Sequence, residues 1–424
     1  MFKMFSMVMF FQVGLILSCS AQDTITLSWC LDKTSQNHPR SGNYELFENI
    51  NDKKIQNIRS GNLPQLELNG KASYQSDAIT FDMDIPIPGI DFPESPRDQY
   101  KLSLDINQSI YDGGYSKNKQ EIEMVAAKVD NSQLELDIRT SRLQVKDLYY
   151  NILLIQKNQE IVDVSLSQIL ENRNVIETGI KNGVLLKSDL DMLDVEIIKL
   201  RQTKTELENS RRAGLQMLAG KTGESIELST VLIPTDFSSP ENDSILRIEQ
   251  LLFDLQAEQL GNSQALIKSR ALPKIYAFGQ FGYGNPALNM LKDEFDSYYI
   301  VGAGLKWTIW DWKVNNRDRE VLGLQQSILN SRKSQFEWDI NAALMNQKTV
   351  INNHLENLKS FENILVLRNR ISATAKTQLE NGLIKTIDYI AILNQETIAR
   401  IQFENEKTYL QQSIAKYLEI KGEL

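Results

Sequence analysis

Residues able to do covalent or metal chemistry are scarce in this chain, which has two histidines and two cysteines among 424 residues. His38 precedes Pro39 and reads as an exposed helix end. His354 sits in the polar stretch Asn352-Asn353-His354 with no Ser, Cys or carboxylate constellation, so it reads as solvated rather than catalytic. Cys30 reads as a small buried hydrophobe. There is no Gly-rich phosphate loop followed by Lys and Ser or Thr. The expectation is therefore no catalytic residue, no metal, no cofactor and no enzyme. What remains are two carboxylates, Asp189 and Asp388, each six residues after the glycine of an Asn-Gly pair. At the start of a helix such a charge favours the dipole.

Those two carboxylates belong to a duplication. Asn182-Gly183-Val184-Leu185-Leu186-Lys187-Ser188-Asp189 returns as Asn381-Gly382-Leu383-Ile384-Lys385-Thr386-Ile387-Asp388, 199 residues later. Tyr111-Asp112-Gly113-Gly114 returns as Trp310-Asp311-Trp312-Lys313 at the same offset. A constant offset between distant landmarks means one repeat-built body, here placed at 22–424 and made of repeats 22–233 and 240–424.

The net charge of −9 provides no concentrated basic face, which argues against a nucleic-acid partner. Residues 1–21 read as a secretory signal: Lys3, an apolar run from Met7 to Leu17, then Cys19-Ser20-Ala21. The run is too short to span a bilayer as a helix. Cleavage after Ala21 would leave Cys30 as the one thiol. The alternative is lipidation at Cys19, because Ile16-Leu17-Ser18-Cys19 resembles a lipobox. From Cys19 to Thr24 the chain reaches only roughly 17 Å, which would draw the first element close to the membrane.

Period-two patterns predict strands at about 64–76, 99–111, 273–284 and 298–310. Leu63-Pro64 and Leu272-Pro273 open a strand in each half. A connection with Pro86, Pro88, Pro93 and Pro96 separates the first two. No Pro occurs between Pro96 and Pro234, and no Gly between Gly114 and Gly179, so a helix on the order of 100 Å follows. Charges along it exclude a membrane span. Leu148, Ile152, Ile155, Gln159, Val162, Leu166, Ile169, Arg173 and Ile176 step by fours and threes, as do Leu186, Leu190, Leu193, Ile197, Leu200, Lys204 and Leu207. Two such seams across Asn182-Gly183 predict an antiparallel hairpin, with tips near 179–189 and 378–388. The polar seam entries Gln159, Arg173 and Lys204 either set register or face solvent, and facing solvent is the default reading. Each half then has one long helix against two shorter collinear ones.

Four strands cannot close a sheet, and open edges in lipid leave backbone groups unsatisfied at several kcal/mol each. Alternating strands with Tyr74, Tyr100, Tyr111, Tyr283, Tyr298, Tyr299, Trp307 and Trp310 near their ends suggest a barrel with an aromatic girdle. Eight strands leave an interior filled by side chains, so twelve, from three copies, is the smaller assembly with an open lumen. A soluble sheet with one wet face is the competing reading.

The Leu-Pro strand openings, Asp112-Gly113-Gly114, Asp311 and the two Asn-Gly tips, in this order and spacing, resemble the TolC family of outer-membrane efflux proteins across the mature chain. The resemblance implies a mainly α fold with a β-barrel portion: a homotrimer with a twelve-stranded outer-membrane barrel, continued by a periplasmic α-helical barrel. It implies a passive exit duct of a tripartite efflux or type I secretion system. Its partners would be a periplasmic adaptor (membrane fusion protein), an inner-membrane pump and outer-membrane lipid. It places Asp388 on a family gate aspartate and Asp189 on the first-repeat equivalent, with Gly183, Val184, Gly382 and Leu383 as adaptor contacts. The chain departs from the family at Ala391, where a second gate acid is expected, and at Leu379 and Ile384, where a Tyr and an Arg are expected. A scaffold or adhesion stalk in the periplasm, without a pore, is the alternative. No residue chooses among drug, metal-ion and polypeptide cargo.

Overall fold

A computed structural model describes residues 24–79, 94–235 and 245–424. The signal segment with Cys19, most of the Pro-rich connection and Pro240 lie outside the described residues. The first half runs β1 (Thr24–Ile25), α1 (Leu27–Gln36), α2 (Asn43–Ser60), β2 (Gln65–Tyr74), β3 (Asp98–Tyr111), α3 (Tyr115–Lys181), α4 (Lys187–Thr222) and β4 (Val231–Leu232). The second runs α5 (Ile248–Arg270), β5 (Lys274–Asn285), β6 (Asp296–Lys306), α6 (Val314–Glu380) and α7 (Thr386–Lys421). α6 and α7 begin and end 199 residues after α3 and α4.

The chain divides into two compact units, and each takes residues from both halves. Among the described residues, the first comprises 24–38, 141–235 and 347–416; the second comprises 39–79, 94–140, 245–346 and 417–424. α3 and α6 each contribute to both.

The second unit holds a four-stranded sheet of order β2-β3-β5-β6, antiparallel throughout. Pro64 and Pro273 set where β2 and β5 begin, because a proline has no N–H to give the ladder. β6 ends at Lys306, paired with Lys274, four residues short of the expected 310. With Pro273 next on the partner strand the ladder stops. The Trp307 indole N–H turns back instead to Ala271 O at 3.1 Å.

The strand-to-helix turns are the same in both halves. Asp112 accepts from Gly114 N–H (2.9 Å) and Ser116 N–H (2.7 Å), and Asp311 from Lys313 N–H (2.9 Å) and Asn315 N–H (2.9 Å). Each carboxylate thereby satisfies donors at a helix start. The turn needs positive φ at two successive residues: 71° and 80° at Gly113 and Gly114, 52° and 63° at Trp312 and Lys313. For residues with a Cβ that conformation costs about 1–3 kcal/mol each.

In the first unit, β1 pairs in parallel with β4. Gln156 of α3 continues this ladder with its side-chain amide, accepting from Leu232 N–H (3.0 Å) and donating to Leu232 O (3.2 Å). The Tyr149 hydroxyl reaches Ile25 O (3.1 Å) and Ile233 O (2.5 Å). Cys30 is fully buried here, and burial pushes its thiol up to about 12. Gln156, outside the expected seam, is thus buried, because the helix packs here against the β1–β4 corner as well as α4, while Gln159 is half-buried.

Candidate functional site

In the first unit, both hairpins end in the same cap. α3 stops where Gly183 turns left-handed (φ 75°) and Val184 N–H returns to Gly179 O at 2.9 Å; α6 stops at Gly382 (φ 71°), with Leu383 N–H on Gln378 O at 2.8 Å. Glycine is used because a Cβ disfavours this conformation. The caps leave Val184 and Leu383 at the apices, about seven-tenths exposed, with Gly183 and Gly382 beside them. Leu186, expected in the second seam, is instead 71% exposed, because it precedes α4 at the tip, and Ile387 (50%) adds to the exposed apolar surface.

Asp189 and Asp388 occupy corresponding positions in the first turns of α4 and α7. Asp189 is half-buried and accepts Leu186 N–H at 2.9 Å, so it caps its helix. Asp388 is exposed.

The two hairpins share one apolar core. Ile169, Ile176, Leu193 and Ile197 of the first meet Ala375, Leu379, Tyr389, Ile390 and Leu393 of the second, with Ile384 against them. Leu379 and Ile384 therefore act as core residues. Polar linkage comes from elsewhere: Asn172 Nδ2 donates to the Tyr389 hydroxyl at 2.6 Å, and Ser165 Oγ lies 2.9 Å from Thr397 Oγ1. Burial pushes the Tyr389 phenol above its ordinary range. A cleft of about 590 Å3 lies between the ends of α3 and α6, lined by Val175, Gly179, Val184, Leu185 and Glu380 among others.

Arg173 and Lys204 do not face solvent alone. Arg173 Nε is 2.7 Å from Asp194 Oδ1 and its guanidinium also pairs with Glu177; Lys204 Nζ is 2.7 Å from Asp163 Oδ1. Both inter-helix pairs are symmetric about the Gly183–Val184 bond, ten residues either side for Arg173 and Asp194, twenty for Asp163 and Lys204. His354, read as solvated, is half-buried with Nδ1 2.8 Å from Glu406 Oε1; His38 Nε2 is 3.2 Å from Ser141 Oγ. Among the described residues, no group of three His, Cys, Asp or Glu could hold a metal.

In the second unit, the sheet register sorts side chains onto two faces. Leu66, Leu68, Leu102, Leu104, Ile106, Phe281, Tyr283, Tyr299, Val301 and Leu305 share one face, and all are more than a third exposed. The other carries Glu67, Asn69, Lys71, Lys101, Ser103, Asp105 and Gln280. There Asp105 accepts from Asn69 Nδ2 (2.6 Å), Gln280 Nε2 (2.5 Å) and Ser103 Oγ (3.1 Å). Tyr298, Phe278 and Tyr276 lie over Gly282, Gly302 and Gly304, where a Cβ would approach each ring within 2.3–2.7 Å. Leu63, Leu272, Asp112, Gly113, Gly114 and Asp311 lie at the end of the sheet where strands meet helices. No described helix is long and apolar enough to cross a membrane.

No protein-family profile and no curated protein matches the sequence. Solved structures do. The outer membrane protein VceC of Vibrio cholerae is 11% identical with a TM-score of 0.65, over 93% of this chain and 96% of that one. The outer-membrane channel OprN is 13% identical at 0.69, over 94% and 90%. The outer membrane channel CmeC of Campylobacter jejuni is 13% identical at 0.67, over 94% and 85%. The chain has the fold of outer-membrane channels. At this identity the likeness is one of fold, and it is the TolC-family fold that the sequence motifs resemble.

Proposed function

We propose that the chain is one protomer of a passive outer-membrane exit duct in a tripartite efflux or type I secretion system. The sheet carries the proposal: one face is apolar and uncovered, the other holds the hydrogen-bonded polar cluster around Asp105 together with Tyr276, Phe278, Tyr298 and Ile300, and β2 and β6 are open edges. Such a sheet is stable in lipid only when closed, and three copies bring the twelve strands that enclose a lumen. The polar face would then line the lumen and the apolar face meet lipid. The helical hairpins would reach into the periplasm after removal of the signal segment.

The exposed tips, Gly183 and Val184 with Gly382 and Leu383, are assigned to a periplasmic adaptor that joins the duct to an inner-membrane pump. Asp388, exposed in the first turn of α7, is assigned to the constriction, where three copies would favour cations. Asp189 serves α4 as a cap, which leaves Asp388 the stronger gate candidate.

Two measurements test the reading. Native mass spectrometry of detergent-purified full chain should give a trimer, and planar bilayers should show discrete conductance. A stable monomer that stays in solution without detergent would remove the duct and favour the stalk.

A further inference from the structure

The two hairpins of the sheet are one hairpin used twice. Each pair of the β2–β3 ladder recurs in β5–β6, 209 residues on for the first strand and 199 for the second. Gln65–Asn107 returns as Lys274–Lys306, Gly70–Leu102 as Gly279–Val301, and Tyr74–Asp98 as Tyr283–Ser297. The seam inside the chain, β3 against β5, therefore has a counterpart: the open edge of β6 against the open edge of β2 on another copy. An open edge carries unpaired N–H and C=O groups that need a ladder once lipid replaces water.

The duplication also accounts for the short β6. β3 loses β2 after Asn107 and β6 loses β5 after Lys306, because Pro64 and Pro273 follow on the partner strands. β3 nonetheless runs on to Tyr111, since β5 on its other side pairs Gln108, Ser109 and Tyr111. Among the described residues β6 has no strand on its other side, and it ends at Lys306.

We propose that β6 of each copy pairs antiparallel with β2 of the next in the β3–β5 register, and that residues 307–310 become strand only through this pairing. The proposal rests on the closed-sheet reading above and adds to it which residues meet. The pairs Ile106–Gly279, Leu104–Phe281 and Leu102–Tyr283 become Leu305–Gly70, Ala303–Ala72 and Val301–Tyr74, the second member on the next copy. The side chains suit that register. In both seams one branched aliphatic residue stands opposite glycine and another opposite tyrosine, and the middle pair changes from two large residues to two small ones. On the other face Gly304 comes opposite Lys71 of the next copy. Tyr276 lies over Gly304, where a Cβ would approach its ring within 2.3 Å, so the ring extends toward that edge. Lys71 then meets it much as Lys101 meets Tyr298 inside the chain, 5.0 Å from the ring centroid. Trp307, Thr308 and Trp310 stand against Leu68, Glu67 and Leu66, as Gln108, Ser109 and Tyr111 stand against Ala277, Tyr276 and Ile275.

The test uses detergent-purified full chain. Ala72→Cys and Ala303→Cys lie on opposite edges of the sheet, three strand spacings or about 14 Å apart, and cannot bridge within one chain. Oxidation of the double variant should give disulfide-linked dimers and trimers on denaturing gels, which reductant returns to monomer; neither single variant should link. Leu104→Cys with Phe281→Cys, the equivalent pair inside the chain, calibrates the yield. Ala72→Cys with Val301→Cys or with Leu305→Cys, two residues out of register, should link about tenfold less. Stronger linking of a shifted pair overturns the register and leaves the closed sheet standing. Linking of none, with the in-chain pair oxidised and the parent trimeric, overturns the meeting of β6 with β2. Amide exchange of the parent trimer reads the extension without thiols. Residues 308–310 should be protected to within about tenfold of 109–111, and exchange there as fast as at Val184–Leu186 overturns the extension. A parent that never forms a trimer overturns the duct reading and this seam together.

Discussion

Asn172 on α3 donates its side-chain amide to the hydroxyl of Tyr389 on α7, at 2.6 Å and out of contact with solvent. The bond joins the first hairpin to the second one residue after Asp388. Apolar contact resists separation but has no direction, whereas a buried hydrogen bond fixes register.

Tyr389→Phe keeps the ring and removes the bond. It should loosen the tips by roughly 1–2 kcal/mol, since the Asn172 amide loses a buried partner. Leu393→Ala in the same core should cost about 2–5 kcal/mol. Hydrogen exchange of amides around 386–393 reports both. Unchanged protection in Tyr389→Phe would show that packing alone holds the hairpins.

Arg173–Asp194 and Asp163–Lys204 staple the first hairpin, half exposed. Lys204→Asp should destabilise the hairpin by about 0.5–1 kcal/mol, and adding Asp163→Lys should restore most of it, the more so at low salt. A double-mutant cycle read by hydrogen exchange checks the coupling; additive single effects refute it.

On the sheet, Leu104→Arg and Glu67→Arg fall on neighbouring strands and point to opposite faces, and Glu67 is exposed. The first should cost about 2–4 kcal/mol of vesicle folding if Leu104 lies near the bilayer midplane. The second should insert like the parent. Equal behaviour of the two would contradict a lipid-facing side.

Asp388→Ala should lower cation preference in planar bilayers, and the difference should shrink as salt rises. Asp189→Ala should instead destabilise α4 by about 0.5–2 kcal/mol through loss of its cap and leave selectivity unaltered. Unchanged ion preference in Asp388→Ala removes it from the constriction.

The β1–β4 corner should be sensitive to alkali. Burial pushes Cys30 from an ordinary 9.0 to about 12, and raises the Tyr149 and Tyr150 phenols above theirs. The folded chain holds these protons longer than the unfolded chain. Their stabilising effect is therefore complete below about 9 and is lost as pH climbs toward and past 12. Denaturant midpoints should fall over that interval, and Cys30 should resist thiol reagents at pH 9 until unfolding begins. Rapid labelling of native protein at that pH would show the corner to be open.

Much of this was legible before any coordinates. The absence of Pro and Gly between Gly114 and Gly179 marks a single helix, and α3 runs Tyr115–Lys181. The Asn-Gly pairs mark the reversals because a glycine can turn left-handed where other residues strain. The alternation from Leu66 to Tyr74 marks a strand, since side chains in a strand change face at every residue. These are local rules, and the chain states them locally.

What the sequence could not state is which neighbour each face meets. Arg173 and Lys204 read as solvated because their partners lie on the other arm; counting outward from Gly183 would have found them. Gln156, outside the expected seam, is buried because α3 packs at that level on a corner assembled from residues 24–25 and 231–232. β6 stops at Lys306 because of a proline on another strand. By itself the sequence determined the long helices, the four long strands, their duplication and the strands' alternation; the short β1 and β4 and the end of β6 came only with the fold. Tertiary structure decided the partners, since burial and hydrogen bonding depend on groups that are distant in the chain and adjacent only after folding.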